Sequence, residues 1–354
     1  MNPPLEGKIP VGVLGATGTV GQRFVQLLSV HPWFEITALA ASERSAGKPY
    51  AEACHWLQPT PIPDGIGATV VQPLDAELDC RVLFSALPSQ VAAQVEGRCA
   101  QAGYAVCSNA SAHRMDADVP LLIPEVNPGH AALIEVQRRA RGWPGLIAAS
   151  ANCSTTQLVL ALKPLHETFG IHTLLAVTLQ AVSGAGHPGV ASLDILGNVV
   201  PYIGGEEDKL ETETQKMLGR VQGDQIAHAE MTISAQCNRV PVRDGHLECL
   251  SIGLDDRPDL PALIAALEGF RGPPEVAGLP STPEQPIVVR REPDRPQPIL
   301  DRDAGNGNAV SVGRIRPCPL FDYRMVLLGH NTLRGAAGGS IHNAELLVKQ
   351  GWIA

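Results

Sequence analysis

The sequence predicts an α/β protein in two parts: a parallel sheet flanked by helices, and then a mixed sheet with helices on one face. Strand-like and helix-like segments alternate over about the first 150 residues, which is typical of a parallel sheet. Beyond residue 170, long strand-like runs dominate and few helices intervene. The 354 residues, of which 44% are hydrophobic, are enough to bury two cores.

The first part begins with a buried strand at residues 9–14, followed by a helical apolar spacing in Q-R-F-V-Q-L-L at residues 22–28. A second helix is predicted at residues 91–102. The other strands predicted in this part are residues 34–41, 81–86, 105–108 and 121–123.

The second part opens with a predicted helix at residues 154–167. Its predicted strands are residues 172–183, 231–237, 247–253, 287–291, 309–315 and 323–328. Helices are predicted near residues 206–218 and 260–269, and a last one at residues 336–349. The proline-rich residues 271–300 are expected to form a surface excursion.

Composition and charge exclude several classes of function. The formal net charge is −9 and no long basic run occurs, so we expect no binding to nucleic acid or to a membrane surface. No apolar stretch reaches the roughly 20 residues that span a bilayer, and the first residues lack an apolar signal core, which together predict a cytoplasmic protein. The eight cysteines form no C-x-x-C and no zinc-like spacing, so neither a metal site nor disulfides are expected.

A glycine-rich turn joins the first predicted strand to the first helix. Gly15-Ala-Thr-Gly-Thr-Val-Gly21 has the spacing G-x-x-G-x-x-G, a variant of the dinucleotide-binding fingerprint in the required strand–turn–helix context. Gly15 and Gly18 would allow the backbone to approach a pyrophosphate, and Gly21 would let helix and strand pack closely. This predicts a Rossmann-type domain; the alternative is a glycine-rich turn without a ligand.

The segment after the second strand favours NADP over NAD. Ser42 occupies the position where an NAD site usually has an acidic residue for the ribose 2′-hydroxyl. Arg44, Ser45 and Lys48 could bind a 2′-phosphate through charge-assisted hydrogen bonds, while Glu43 argues mildly against this. The alternative for Arg44 and Lys48 is a solvated loop.

The stretch A-S-A-N-C-S-T-T-Q places Cys153 just before a predicted helix. The helix N-terminus is expected to lower the pKa of the thiol, and Asn152 is a good N-cap residue whose neighbouring N–H groups could stabilise an oxyanion. In C-N-R-V-P-V-R-D-G-H, His246 follows a turn and could share a cleft with Arg239. The alternatives are a buried small cysteine and a structural histidine.

Four motifs together resemble aspartate-β-semialdehyde dehydrogenases, most closely the archaeal and fungal branch. They are G-A-T-G-T-V-G-Q-R-F, S-A-N-C-S-T-T-Q, C-N-R-V-P-V-R-D-G-H and H-N-T-L-R-G-A-A-G-G-S-I-H-N-A-E-L-L, and the resemblance runs from about residue 9 to residue 352. It implies an NADP-binding domain of residues 1–151 plus 330–354. It also implies an α+β catalytic and dimerisation domain of residues 152–329, in a homodimer or homotetramer.

The resemblance also implies a role for individual residues. Cys153 is similar to the family's nucleophile and His246 to its acid–base residue. The catalytic set is completed by Gln180 and Asn152. The substrate set comprises Arg239 for the α-carboxylate, Arg114 and Lys209 for phosphate, Glu206 for the amino group, with Glu207 as the other possible register, and Ser183. The cofactor set comprises Gly15, Thr17, Gly18, Thr19, Val20, Gly21, Ser42, Arg44, Ser45, Ser85, Pro88, Gly184 and Asn331.

The implied reaction is the NADPH-dependent reduction of L-aspartyl 4-phosphate to L-aspartate 4-semialdehyde and inorganic phosphate, through a thioacyl enzyme. Two related activities compete with it, those of malonyl-CoA reductase and of N-acetyl-γ-glutamyl-phosphate reductase. The second is disfavoured because Cys153 lies between Asn152 and Ser154 instead of following glycine and preceding an aromatic residue. A non-catalytic NADP-binding sensor and a cysteine hydrolase are the alternatives from other classes.

Overall fold

A seven-stranded, all-parallel sheet carries the first part of the chain in the structure, a computed structural model that describes residues 7–353. The strand order is β3-β2-β1-β4-β5-β7-β6. The strands are β1 (Ile9–Leu14), β2 (Phe34–Ala41), β3 (Gln72–Pro73), β4 (Val82–Ser85), β5 (Ala105–Ser108), β6 (Leu121–Leu122) and β7 (Leu146–Ser150). The predicted Rossmann-like sheet is confirmed.

The second sheet has six strands in the order β11-β8-β12-β15-β14-β13, and β9 and β10 form a separate hairpin. The three central pairs, β8–β12, β12–β15 and β15–β14, are antiparallel. The edge strands are parallel to their neighbours, β11 to β8 and β13 to β14. The strands are β8 (Ile171–Gln180), β9 (Arg220–Gln222), β10 (Gln225–Ala227), β11 (Thr232–Arg239), β12 (His246–Leu254), β13 (Ile287–Val289), β14 (Val310–Pro317) and β15 (Tyr323–Gly329). This confirms the predicted mixed sheet.

The helices are α1 (Thr19–Leu28), α2 (Tyr50–Ala53), α3 (Ser89–Gln101), α4 (Leu133–Arg141), α5 (Cys153–Phe169), α6 (Ser192–Ile195), α7 (Glu206–Met217), α8 (Leu260–Gly269), α9 (Pro298–Asp301) and α10 (Gly338–Lys349). A π-helical turn, Leu333–Ala337, precedes α10. Among residues 7–353, no helix is both long and apolar enough to cross a membrane.

Helix α5 joins the two sheets. It begins three residues after the end of β7, and most of its side chains are buried, including the run from Ser154 to Leu162. One continuous apolar cluster contains α5 together with residues of the first sheet, such as Ile147, and of the second, such as Ile252. Because Cys153 is the first residue of α5, the core holds it at the junction of the sheets.

The turn between β1 and α1 requires glycine at two positions. Gly15 has a φ of +75°, and a Cβ there would lie 2.8 Å from the carbonyl oxygen of Ala86. A Cβ on Gly21 would lie 2.2 Å from the carbonyl oxygen of Gly15, so α1 could not pack this close to the turn. This close packing of the helix on the turn agrees with the role predicted for Gly21 from the sequence.

Several predicted elements differ in extent. Strand β8 ends at Gln180, not at residue 183, because a 3₁₀ turn spans Val182–Ala185 and Gly186 has a positive φ. The strand predicted at residues 287–291 has only three residues, Ile287–Val289. Strand β7 was missed, because the run L-I-A-A-S is too short and too rich in small residues to stand out.

Residues 271–300 are not merely a surface excursion, so that prediction was wrong in part. Val276 and Leu279 are buried against Leu346 of α10 and against Trp33. The N–H and hydroxyl groups of Ser281 donate hydrogen bonds to the buried carboxylate of Glu345. Prolines break regular structure in this segment but leave its apolar side chains free to pack.

Candidate active site

A cavity of about 910 Å³ lies where the carboxyl end of the first sheet meets α5, α7 and the second sheet. Cys153 at the start of α5, Gln180 at the end of β8 and Arg239 at the end of β11 all line it. The other predicted site residues in its wall are Thr19, Val20, Pro88, Arg114, Asn152, Ser183, Gly184, Glu206, Lys209 and Asn331. The fold thus brings together residues that are up to about 300 positions apart in the chain.

Cys153 and His246 form a close pair. The Sγ atom of Cys153 lies 3.2 Å from Nε2 of His246, which is fully buried behind it at the start of β12. The N–H of Ala181 donates to Nδ1 of His246 at 3.0 Å, so a neutral ring carries its proton on Nε2, facing the sulfur. Burial, assisted by Arg239 and His330, lowers the pKa of His246 to about 3, which keeps the ring neutral.

The expected lowering of the Cys153 pKa is wrong for this structure. Burial, reinforced by the Glu206 carboxylate, raises the pKa of the Cys153 thiol to about 12, although Arg114 and Arg239 oppose the shift. The helix N-terminal field is a modest effect beside the removal of a thiolate from water. A pKa raised to this value leaves the thiol protonated at neutral pH.

Asn152 organises the turn before the nucleophile. Its Oδ1 accepts hydrogen bonds from the N–H groups of Ser154 at 2.9 Å and Thr155 at 3.4 Å, as expected of an N-cap. Its Nδ2 donates to both carboxylate oxygens of Glu206, at 3.0 and 2.9 Å, and its own N–H donates to Glu213 at 2.7 Å. Both the backbone and the side-chain donors of Asn152 are thus engaged by carboxylates.

Glu206 faces the cavity and its neighbour Glu207 does not. Lys209 donates to Glu206 at 2.9 Å, and Gln180 approaches it at 3.4 Å. Although burial opposes ionisation, Lys209 and the two amides hold the pKa of Glu206 below its usual value. Glu207 is exposed and accepts the N–H of Cys237 instead. Of the two glutamates that the sequence left open, Glu206 is therefore the one in the cavity wall.

Two buried arginines form separate cationic poles. Arg239 donates to the carbonyl oxygen of Ala181 at 2.7 Å, and no carboxylate of residues 7–353 lies within ion-pair distance of it. Arg114 pairs with Glu213 at 3.0 Å and donates to the carbonyl oxygen of Asn109. Its Nε–H is buried with no hydrogen-bond partner in the part of the chain that the structure describes.

Asn331 connects three segments near His246. Its Nδ2 donates to the hydroxyl of Ser183 at 2.8 Å, and its Oδ1 accepts the N–H of Gly245 at 2.8 Å. Gly184 lies against the same group, because a Cβ there would be 2.8 Å from Nη1 of Arg239 and 3.1 Å from the His246 ring. The structure thus places Gly184 against Arg239 and His246, and its predicted contact with the cofactor stays a prediction.

The remaining predicted cofactor residues lie outside the cavity wall. Thr17, Gly18 and Gly21 belong to the glycine-rich turn, and Ser42, Arg44 and Ser45 follow β2. The parallel strands β1, β2 and β4 end on the same edge of the sheet, and Ser85 is the last residue of β4. Arg44 is exposed, whereas Ser45 and Ser85 are buried.

This edge fits a dinucleotide. Gly18 caps α1 without a side-chain hydrogen bond, and no acidic residue lies in the first turn, so the N–H groups there can receive a phosphate. Because Gly15 has no side chain, the backbone of the turn can lie against the carbonyl group of Ala86. Arg44 remains in the solvent-facing position that a 2′-phosphate contact would need.

Sequence reasoning missed two residues that touch the nucleophile turn. Glu213, in the charged run of the helix predicted near residues 206–218, is 1% exposed and binds Asn152 and Arg114. Its spacing of seven from Glu206, two helical turns, was the available signal. Gly335 lies in the π-helical turn against Cys153, and a Cβ there would be 2.7 Å from the Cβ of Cys153.

Replacement of Gly335 by alanine is expected to impair turnover. The new Cβ would press on main-chain as well as side-chain atoms of Cys153, so a side-chain rotation cannot relieve the contact. A displacement of the nucleophile costs about 100-fold in kcat/KM. Gly129→Ala is the matched control, because no atom lies within 4 Å of its Cβ position. Equal kinetics for the two variants would show that Gly335 does not position Cys153.

A thiol beside a neutral imidazole, at the carboxyl edge of a sheet that fits a dinucleotide, defines the class of cysteine-dependent dehydrogenases. Two family models match the chain: "Semialdehyde dehydrogenase, NAD binding domain" over residues 10–134 and "Semialdehyde dehydrogenase, dimerisation domain" over residues 162–334. The chain belongs to the aspartate-semialdehyde dehydrogenase family.

Near-full-length relatives carry this family assignment. The aspartate-semialdehyde dehydrogenase of Archaeoglobus fulgidus is 52% identical over 341 residues, covering 96% of this chain and 98% of the relative. That of Candida albicans is 50% identical over 353 residues, covering 95% and 97%. The predicted archaeal and fungal resemblance is confirmed.

Solved structures agree with the fold. The aspartate-semialdehyde dehydrogenase of Candida albicans with NADP has a TM-score of 0.90 and 48% identity, covering 98% of this chain and 100% of that one. Aspartate-semialdehyde dehydrogenase II of Vibrio cholerae complexed with ASA has a TM-score of 0.76 and 27% identity, covering 97% and 99%.

Proposed function

We propose that this chain catalyses the NADPH-dependent reductive dephosphorylation of L-aspartyl 4-phosphate to L-aspartate 4-semialdehyde, a step in lysine, methionine and threonine biosynthesis. The observation that carries the proposal is the 3.2 Å Cys153–His246 pair in a cavity with two arginine poles. The family of the chain and the NADP in the Candida albicans relative support the same reaction and cofactor.

The substrate has three charged groups that match the cavity. Arg239, which has no carboxylate partner among the described residues, receives the α-carboxylate through its planar fork. Glu206 receives the amino group, and Arg114 with Lys209 receives the phosphate. Lys209 and Arg114 each already pair with a carboxylate of α7, so their charges are held in place before the substrate arrives.

The first step forms a thioester. The sulfur of Cys153 attacks the acyl carbon, the thiol proton passes to the departing phosphate, and the acyl–oxygen bond breaks to release hydrogen phosphate. This route needs no thiolate beforehand, in agreement with the raised pKa of the resting thiol. His246 does not take the thiol proton in this step, because its Nε2 atom, which faces the sulfur, already carries one. The N–H of Cys153, in the first turn of α5 where no intrahelical acceptor exists, stabilises the developing oxyanion.

The second step releases the aldehyde. NADPH, when bound along the glycine-rich turn, supplies the hydride that reduces the thioester. The Nε2–H of His246 holds the departing sulfur by a hydrogen bond as the carbonyl reforms, and the sulfur takes its proton from solvent in the cavity. Gln180, buried at the end of β8, holds the substrate against Glu206.

We propose a homodimer or a homotetramer built on the second sheet, in which α5 and α8 cover one face. The other face presents partly exposed apolar side chains at its centre, on β8, β12 and β15: Leu175, Val177, Leu179, Leu247 and Val326. An apolar face of this kind is typical of a contact between subunits.

We also propose the domain division expected from the sequence. Residues 1–151 with 330–354 would form the NADP-binding domain, and residues 152–329 would form the catalytic and dimerisation domain. Residues 1–6 and 354 of the first domain lie outside the described residues.

The decisive assay follows NADP reduction with L-aspartate 4-semialdehyde, with inorganic phosphate or with coenzyme A as the acyl acceptor. We expect reduction to depend on phosphate, because Arg114 and Lys209 bind an anion and the acyl group leaves the sulfur by attack of phosphate. Malonate semialdehyde with coenzyme A is the parallel reaction for malonyl-CoA reductase. Turnover with coenzyme A and none with phosphate would refute the proposed function.

A further inference from the structure

We propose that Glu213 and Lys216, one helical turn apart on α7, are positioning residues that set the affinity of Arg114 for the phosphate of the substrate. The inference rests on the proposed function, since it concerns the group that Arg114 binds. Neither residue lines the cavity, so neither touches the substrate directly.

Lys216 clamps the loop that carries Arg114. Lys216 is 2% exposed, and its ammonium group donates to three main-chain carbonyl oxygens of that loop, those of Arg114 at 2.7 Å, Asp116 at 2.8 Å and Val119 at 3.1 Å. The three donors of one ammonium group are thus matched to three acceptors within six residues. The backbone at Arg114 is itself one of the three points held.

Glu213 fixes the side chain of Arg114 and links it to the nucleophile. One carboxylate oxygen accepts Nη1 of Arg114 at 3.0 Å, and the other accepts the N–H of Asn152 at 2.7 Å. With Nη2 held by the carbonyl oxygen of Asn109 as well, both terminal nitrogens of the guanidinium are fixed. The carboxylate of Glu213 therefore binds both Arg114, the proposed phosphate ligand, and Asn152, the residue before Cys153.

The cost of burying Lys216 argues for more than packing. Burial lowers the pKa of Lys216 to about 8, although Asp116, Asp118 and Glu213 act to raise it. An apolar side chain of the same length would fill this space without that cost. The loop is also held from outside, where Arg141 pairs with Asp116 and Asp118. Arg141 binds side chains of the loop, whereas Lys216 donates a hydrogen bond to the main-chain carbonyl of Arg114 itself.

Lys216→Met and Glu213→Gln test the inference in the oxidative reaction with L-aspartate 4-semialdehyde, NADP and inorganic phosphate. Lys216→Met keeps the length of the side chain and removes its charge and donors. Glu213→Gln keeps an acceptor for Asn152 but turns an amide toward Arg114. We expect either variant to raise the KM for phosphate about tenfold or more, with the KM values for semialdehyde and NADP unchanged.

Lys163→Met is the matched control, because Lys163 lies on α5 and, among residues 7–353, pairs only with Glu167 one turn away. We expect it to keep the wild-type KM for phosphate. If Lys216→Met does not fold, Glu213→Gln decides alone. A wild-type KM for phosphate in the folded variants, or an equal rise in all three KM values, would overturn the inference. Absence of phosphate-dependent turnover in the wild-type chain would instead refute the proposed function.

Discussion

Cys153→Ala is expected to abolish phosphate-dependent reduction of NADP while leaving NADP binding intact. The substitution removes only the sulfur, and with it the thioester on which both half-reactions depend. A loss of about 10⁴-fold or more in kcat is typical for removal of a nucleophile. Among residues 7–353, Sγ has His246 as its hydrogen-bond partner and makes no hydrogen bond to the glycine-rich turn, so the dissociation constant for NADP, measured by calorimetry, should not change.

Cys318→Ala is the control for this prediction. Cys318 lies in the loop between β14 and β15, outside the cavity, and we expect its removal to leave kcat unaltered. Near-normal turnover in Cys153→Ala would contradict a covalent mechanism. A loss of NADP binding in the same variant would show that the substitution disturbs more than the chemistry.

The first sheet could be predicted from the sequence because its signals are local. Strands β1, β2 and β5 begin and end at the predicted residues, since each is a short apolar run bounded by turn residues. The glycine-rich turn needs only its own backbone and Ala86 to explain Gly15. Local patterns of this kind do not depend on what the rest of the chain does.

The pKa of Cys153 could not be predicted in the same way. The sequence shows a helix N-terminus beside the thiol, which favours a thiolate. It does not show that Glu206, from a helix more than fifty residues away, lies close enough to oppose ionisation, or that the π-helical turn packs against Cys153 at Gly335. Burial is a property of the assembled core, so the sign of the shift appears only in the folded chain.

Helix α7 was predicted from the sequence, but the burial of some of its charged side chains was not. The run G-E-E-D-K-L-E-T-E-T-Q-K has many charges and resembles a solvated face. In the structure, Glu206, Glu213 and Lys216 are buried on one side, while Glu207 and Asp208 face solvent. The helical period separates the two sets, but only the partners, Arg114 and the loop that follows it, explain why charges are buried at all.

Arg239→Leu is expected to raise the KM for L-aspartate 4-semialdehyde and to lower kcat/KM about 100-fold or more, since two charge-assisted hydrogen bonds to the α-carboxylate are lost. Leucine fills part of the space but offers no donor. Arg239 pairs in register with Gln180 and lies against Gly184, so its place is set by the ends of β8 and β11 and not by a flexible loop.

The KM for phosphate separates this effect from general damage to the site. Because the proposed phosphate ligands are Arg114 and Lys209, Arg239→Leu should leave that constant unchanged. Arg257→Leu is the control, because Arg257 is exposed and pairs with Asp322 away from the cavity. An unchanged KM for the semialdehyde in Arg239→Leu would remove Arg239 from the substrate site. The carboxylate would then need a different cation of the cavity wall, and Lys209, Arg23 and Arg243 are the candidates besides Arg114, which is held by Glu213.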